Sequence, residues 1–523
     1  MKTSNRAVMQ RFGAIVVLGL SLASCVVNPV TGQRELGLVS EAQELNIGAQ
    51  QYSPSQQSQG GLYKVDPELT DYVQQVGQRL ARVSDRDLPY EFVVLNSSVP
   101  NAWALPGGKI AINRGLLTEL NNEAELAAVL GHEIVHAAAR HGARAMERGI
   151  LMQGAMVVGA VAAQGNEYQD YIVGGAQLGA QLLTQHYGRD AERESDTYGI
   201  RYMAAAGYDP AAAVSLQQTF VRLNEGRAQG FIDGLFSSHP PSQERVQNNR
   251  ALVAQLRAEG ISAGELGTQR YQQALAFLRE NAEAYEAFDE AQELIAQDKL
   301  EEANRRIDQA ISMLPNEARF HGLKGDIMMY QRRYSAAVEF YDNAIARDSE
   351  YFDYYLGRGV AFARQGNTNR ANADLQASVN LLPTAMAMNE LGTMALNAND
   401  RAAAKQYFQT AMGAQGAVGE QASAAFYRLD VSDNPANYIA VQAYVGDNNE
   451  LFARVENRSP VQLSDVAIEF HAVINGELVN RTVQIGTMQG GQSGALNSRI
   501  RFPSETVVTQ EQMSATVRSV NVD

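Results

Sequence analysis

Three patterns of apolar and polar positions follow one another along this chain. In the first, Ala124-Glu125-Leu126-Ala127-Ala128-Val129-Leu130 runs on through residues 132–136 to Ala137-Ala138-Ala139-Arg140, with no proline and only Gly131 as a weak interruption. That run predicts a helix. Thr197 to Ala205 predicts another, ending near Gly207 ahead of Asp209-Pro210. Between them lie two apolar, glycine-rich stretches, Gly149 to Gly165 and Tyr171 to Leu183. The first is shorter than the ~20 residues a membrane span needs and is broken by Gln153, so the pair reads as a buried or groove-covering hairpin.

The second pattern is a fixed period from about 284 to 413. Small residues recur at Ala291, Gly325, Gly359 and Gly392, at Ala303, Ala337, Ala371 and Ala404, and at Ala310, Ala344, Ser378 and Ala411, spaced 34, 34 and 33. Pro315 and Pro383 mark repeat ends, with Ser349 at the intermediate position. Three columns in register are similar to the tetratricopeptide repeat, whose small side chains let paired helices approach closely. An α-solenoid is expected over 270–430, with a concave face suited to peptides or partner proteins. Tyr330, Tyr334, Tyr341, Tyr351, Tyr354 and Tyr355 make the middle repeats aromatic. Tyr341 falls on a core column; the others are open between packing and client binding.

After Asn434-Pro435 the spacing becomes alternating. Tyr438 to Val445, Leu451 to Val455, Val466 to Ile474, Leu478 to Ile485 and Ala515 to Val522 read as short strands, with Asn475-Gly476 as a hairpin turn. A small Ig-like β-sandwich over 436–523 is expected, without catalytic residues, as a docking or spacer module.

Composition adds bounds. A chain of 523 residues is too long for one ordinary core, and 45% hydrophobic with 19% charged residues describes a folded protein. The net charge of -15 argues against nucleic acid as a partner. Lys2, Arg6 and Arg11 precede an apolar run from Gly13 to Leu22, then Ala23-Ser24-Cys25. This describes a secretory signal over 1–25 and is similar to a bacterial lipobox. Cys25, the single cysteine, would be acylated and anchor the chain in a membrane, at about 0.8 kcal/mol per buried methylene. Val26 stands where an Asp would favour inner-membrane retention, so the expectation is an outer-membrane lipoprotein of the cell envelope, facing the periplasm and without disulfides.

The chemistry centres on His132-Glu133-Ile134-Val135-His136. Residues four apart share a helix face, so His132 and His136 present two imidazoles to one point, as a zinc site needs, with Glu133 placed as the base. A catalytic zinc takes a third protein ligand. The long metzincin motif would put it on Gly142; His141 is one position short and, on a straight helix, points about 140° away from the two His. Glu192 is the better candidate, and Asp196, four residues on, is placed to orient a ligand His. Alone, this acidic segment reads as a solvated helix start; paired with the upstream motif it reads as part of a metal site.

These motifs, with Asn101-Ala102-Trp103-Ala104-Leu105-Pro106-Gly107-Gly108 before them and Ser238-His239-Pro240-Pro241-Ser242-Gln243-Glu244-Arg245 after, resemble the HtpX/Oma-type zinc metallopeptidases over residues 40 to 255. The resemblance implies one Zn2+ per subunit held by His132, His136 and Glu192, with Glu133 as base and Asp196 as an accessory acid. It also implies an edge strand at Asn101-Ala102-Trp103 beside the bound peptide. His239 would occupy the open zinc position and hold the enzyme latent, or stabilise the oxyanion. Ser195 departs from the more usual Ala.

The expected architecture is multidomain and mainly α: an α+β zincin-type metallopeptidase domain over 26–265, the solenoid and the sandwich. The expected function is a zinc endopeptidase acting on protein or peptide substrates. The resemblance suggests misassembled outer-membrane proteins, or their assembly machinery, as partners in the repeat groove. The competing readings are a chaperone or scaffold with a latent site, and a zinc hydrolase of non-peptide substrates. The extended segment ending in Pro106-Gly107-Gly108 favours a peptide over the latter.

Overall fold

The structure is a computed structural model that describes residues 24–149, 187–226, 239–261, 263–503 and 508–522. The expected signal segment before Ser24 and the apolar pair beyond Gly149 lie outside these residues. No helix among the described residues is long and apolar enough to cross a membrane. The chain divides into two compact units, Met1–Arg358 and Gly359–Asp523.

The first unit opens with an antiparallel hairpin of β1 (Ser24–Val27) and β2 (Arg34–Gly37). Helix α1 (Glu41–Ser58) starts at a capping box, in which Ser40 accepts from the Gln43 amide and Gln43 reaches back to Ser40. Helix α2 (Pro67–Ala81) has Pro at its first position and buries Leu69, Val73, Val76 and Leu80, one face at helical spacing. It lies on a three-stranded sheet of β3 (Glu91–Leu95), β4 (Ala102–Leu105) and β5 (Lys109–Asn113) in the order β3-β5-β4. Strand β3 runs parallel to β5, and β4 runs antiparallel at the edge. The β4–β5 turn needs Gly107 and Gly108, whose φ angles are 79° and 81°. Helix α1 crosses this turn so closely that a Cβ on Gly48 would stand 1.9 Å from the Pro106 carbonyl oxygen.

A short α3 (Arg114–Glu119) leads to α4 (Glu123–Ala138), capped by Asn122, whose side chain accepts from the Glu125 amide at 3.0 Å. Every residue of α4 is buried, as expected of a helix that is apolar nearly all round. It ends earlier than its composition suggests: Ala139 caps it and Arg140 adopts a left-handed φ of 61° before helix resumes over 141–149. Burial explains the break, because Arg140 Nε pairs with Glu44 and Nη2 with the Val39 carbonyl. Helices α5 (Arg189–Ala205), α6 (Ala212–Gly226) and α7 (Gln243–Ala258) complete this part. Helix α5 begins well before the predicted Thr197 and carries both Glu192 and Asp196.

Helices α8 (Thr268–Ala274) and α9 (Ala276–Glu280) lead to the repeats of this unit: α10 (Ala282–Ala296), α11 (Leu300–Met313), α12 (Ala318–Tyr330) and α13 (Tyr334–Arg347). The small columns do what their period implies. Ala291, Ala303, Ala310, Ala337 and Ala344 are fully buried, and a Cβ on Gly325 would stand 2.7 Å from the Tyr341 ring. Tyr351 and Tyr354 are buried as well, while Tyr330 is exposed. The first repeats are fixed to the sheet region by a buried polar network. Arg114, just after β5, stacks 3.8 Å over the Tyr285 ring and bonds Asn96 and Ser98; Asn96 and Tyr285 both donate to Glu317.

The chain passes through α14 (Phe352–Arg364) into the second unit, with α15 (Thr368–Leu381), α16 (Ala385–Asn397), α17 (Arg401–Ala411) and α18 (Ala417–Asp433). Here Leu375 packs on Gly359 and Phe408 on Gly392, the same arrangement as Tyr341 on Gly325. Two three-stranded sheets follow, β10-β7-β6 and β11-β8-β9, enclosing a core that includes Leu451, Val455, Ile468, Phe470 and Ile500. Their strands are β6 (Ile439–Val445), β7 (Glu450–Asn457), β8 (Leu463–Ile474), β9 (Glu477–Gln484), β10 (Ser493–Arg501) and β11 (Met513–Val522). Asn475-Gly476 makes the expected β8–β9 turn with both φ angles positive. Strand β10 is absent from the sequence reading, because Ser, Gly and Asn fill four of its nine positions and its apolar residues do not alternate.

Candidate metal centre

Two glycines set the geometry of this site. At the crossing of α4 and α5, a Cβ on Gly131 would stand 3.1 Å from the Gly199 carbonyl oxygen, and one on Gly199 3.0 Å from the His132 amide nitrogen. The two backbones therefore touch, and the side chains beside the crossing converge. From α4 come His132, Glu133 and His136; from α5 come Glu192 and Asp196. A further imidazole arrives from a third segment: His239 enters from the stretch ahead of α7. Pro240 restricts the backbone of His239 to extended conformations, and Ser242 caps α7 by accepting from the Arg245 amide at 3.2 Å.

His132, His136, Glu192 and His239 each offer one ligand atom, and these lie within 4.8 Å of one another. The Nε2 atoms of His132 and His136 are 3.0 Å apart, and Glu192 carboxylate oxygens lie 3.5 and 3.4 Å from them. His239 Nδ1 is 3.3 Å from His132 Nε2 and 3.0 Å from Glu192 Oε1. Two nitrogens bound to a tetrahedral zinc at ~2.0–2.1 Å stand about 3.3 Å apart, so the donor set fits that ion in type and spacing. Glu133 points into the same space: Oε1 is 3.7 Å from His239 Nε2, and Oε2 is buried without a hydrogen-bond partner among the described residues.

Behind the cluster, Asp196 Oδ1 sits 3.0 Å from His132 Nδ1, leaving Nε2 free to face inward. Arg245 grips Asp196 with two bonds, 2.8 Å to Oδ2 and 2.6 Å to Oδ1, and lies 3.1 Å from Glu192 Oε2. Burial disfavours charge on His132, His136, Glu133, Glu192 and Asp196, and their neighbours decide the outcome. Burial opposes protonation of His132, but Glu192 and Asp196 outweigh it and raise its pKa to about 10. His136 is lowered by burial. Burial works against the charged forms of Glu192 and Asp196 too, yet His239 and His132 hold the first, and Arg245 the second, below the usual range. Glu133 is raised by burial, which moves a carboxylate toward the range of a base active near neutral pH.

The structure thus brings together every residue singled out as a site candidate, His239 included, and β4 forms a sheet edge that packs against α4. Two neighbours of the cluster go beyond the sequence reading. Arg245 stands in the quoted Ser-His-Pro-Pro segment, with no spacing rule to reveal its partners. His141 is expected to point away, but the left-handed turn at Arg140 swings it back, to a ring-centroid distance of 4.7 Å from His136. It remains outside the ligand cluster.

Residues 67–253 match the model of peptidase family M48, and residues 288–349 and 323–385 match the tetratricopeptide repeat. Residues 67–253 form an M48 peptidase domain. M48 metallopeptidases are zinc-dependent, in keeping with the donor set of this M48 domain. The chain is 27% identical over 309 residues to the beta-barrel assembly-enhancing protease of Yersinia pestis, covering 54% of this chain and 63% of that protein. It is 29% identical over 206 residues to the protein of the same name from Escherichia coli K12, covering 38% and 42%. It is also 33% identical over 184 residues to the mitochondrial metalloendopeptidase OMA1 of Schizosaccharomyces pombe, covering 34% and 51%. The chain thus spans between 42% and 63% of the length of these relatives.

Proposed function

We propose that this protein is a zinc-dependent endopeptidase of the bacterial cell envelope. The observation that carries the reading is the buried convergence of His132, His136, Glu192 and His239 with Glu133 beside them, inside an M48 domain. His132, His136 and Glu192 would hold a zinc ion, with His239 as a further donor beside them. When bound, zinc would supply Lewis-acid polarisation of the scissile carbonyl. Glu133 takes a proton from the attacking water and delivers it to the leaving amine. Asp196, fixed by Arg245, keeps the His132 ring in place. The strand β4, which among the described strands pairs only with β5, would receive an extended peptide along its outer side, the usual way a sheet edge receives a strand.

In this reading the functional domains are the peptidase over 26–265, the repeats over 270–430 and the sandwich over 436–523. The repeats recruit protein clients, and misassembled outer-membrane proteins are the class favoured by the names of the Yersinia pestis and Escherichia coli relatives. Cys25, acylated, anchors the chain to the outer membrane on its periplasmic side. The ligand-distance contacts of His239 favour a latch, which makes slow basal cleavage part of the proposal rather than an argument for a pure scaffold. Glu133→Gln tests the chemistry: it should keep zinc and fold and lose cleavage of unfolded casein by several orders of magnitude. Wild-type rates in that variant would refute the assignment of the base.

A further inference from the structure

His136 turns Nε2 toward the ligand cluster and Nδ1 toward His141, whose own Nδ1 lies 2.9 Å away. Two ring nitrogens that face each other form a bond only if one carries the proton and the other a lone pair. A His that ligates through Nε2 keeps its proton on Nδ1 and donates it outward. His141 then accepts at Nδ1 and carries its proton on Nε2, which lies 3.4 Å from Glu194 Oε1. Glu194 is held in turn by Asn28 Nδ2 at 3.0 Å and Arg144 Nη2 at 3.5 Å, and Arg144 also pairs with Glu35 at 2.6 Å. The row runs from the ligand cluster to the β1–β2 hairpin. His141 is 1% exposed, so water does not replace a bond lost there.

We propose that His141 is a positioning residue for the ligand His136: backed by Glu194, and through it by Asn28, it fixes the tautomer and ring plane in which His136 can hold a metal. The inference rests on the metal-site reading above. The left-handed backbone at Arg140, held by Glu44 and the Val39 carbonyl, brings the ring into contact. His141 Nδ1 meets His136, with Ser195 Oγ a further 3.4 Å away, while Nε2 faces the Glu194 carboxylate at ion-pair distance and makes no hydrogen bond among the described residues.

The test is zinc affinity of the full chain, read by competition with a chromophoric chelator, with the visible absorption of the Co2+-substituted protein as a second readout. His141→Phe should bind zinc about 10–100-fold more weakly and shift the cobalt bands. His141→Gln, whose amide oxygen can accept from His136, should recover most of the affinity, and Asn28→Ala should show a smaller loss. If the phenylalanine variant does not fold, Glu194→Leu, which leaves no acceptor for His141 Nε2, carries the same expectation. Wild-type affinity in His141→Phe, or equal weakening by Phe and Gln, would overturn the proposal. A wild-type protein that binds no zinc would instead overturn the metal reading, and the positioning role with it.

Discussion

At the scale of single residues, the site follows from one spacing rule and one burial rule. Positions four apart on α4 and on α5 bring two imidazoles and two carboxylates to facing sides of a crossing, and burial makes each group depend on its neighbours for its charge. Removing a ligand and removing the fourth contact should therefore act in opposite directions. Glu192→Ala should lose zinc, since two His hold the metal poorly, as elemental analysis of the purified variant will show. His239→Ala should keep zinc and raise the rate on unfolded substrates if the contact is a latch. A fall in rate would assign His239 to oxyanion stabilisation, and unchanged kinetics would remove both roles.

At the scale of elements, what was legible in the sequence is what depends on local period. The helix carrying His132 and His136 and the Asn475-Gly476 hairpin need only neighbours in sequence, whereas the edge strand at Asn101-Ala102-Trp103 was implied by the family resemblance. The repeat columns persist because Tyr341, Leu375 and Phe408 each pack on a glycine of the preceding helix. What was not legible depends on tertiary burial. The end of α4 at Ala138 is set by Glu44 and the Val39 carbonyl capturing Arg140, both far away in sequence, and this in turn decides where His141 points. Strand β10 is stabilised by its pairing with β7 rather than by its own side chains. The role of Gly199 was equally hidden, because a glycine within a helical pattern does not announce what crosses it. Gly199→Val should force α4 and α5 apart, costing about 1–3 kcal/mol of stability and lowering zinc affinity together. Thermal unfolding with and without zinc measures both, and a variant equal to wild type in each would contradict the close crossing.

At the scale of the molecule, the first repeats are joined to the peptidase fold through Arg114, Tyr285 and Glu317, in a buried network that ties them to the sheet that carries β4. The proposed anchor at Cys25 stands in the hairpin whose turn residue Asn28 reaches Glu194. Cys25→Ala should release the protein from membranes as an unprocessed or soluble form. Fractionation that still finds it in the outer membrane after a salt wash would defeat the lipoprotein proposal. The central claim, that this is a zinc peptidase, is tested most directly by cleavage of casein by the purified chain before chelation, after chelation and after zinc is restored. The account predicts one zinc per chain, slow cleavage that chelation abolishes, and recovery on adding zinc back. Cleavage that survives complete removal of the metal, or a fully zinc-loaded chain that cuts no unfolded protein even with His239 replaced, would contradict it.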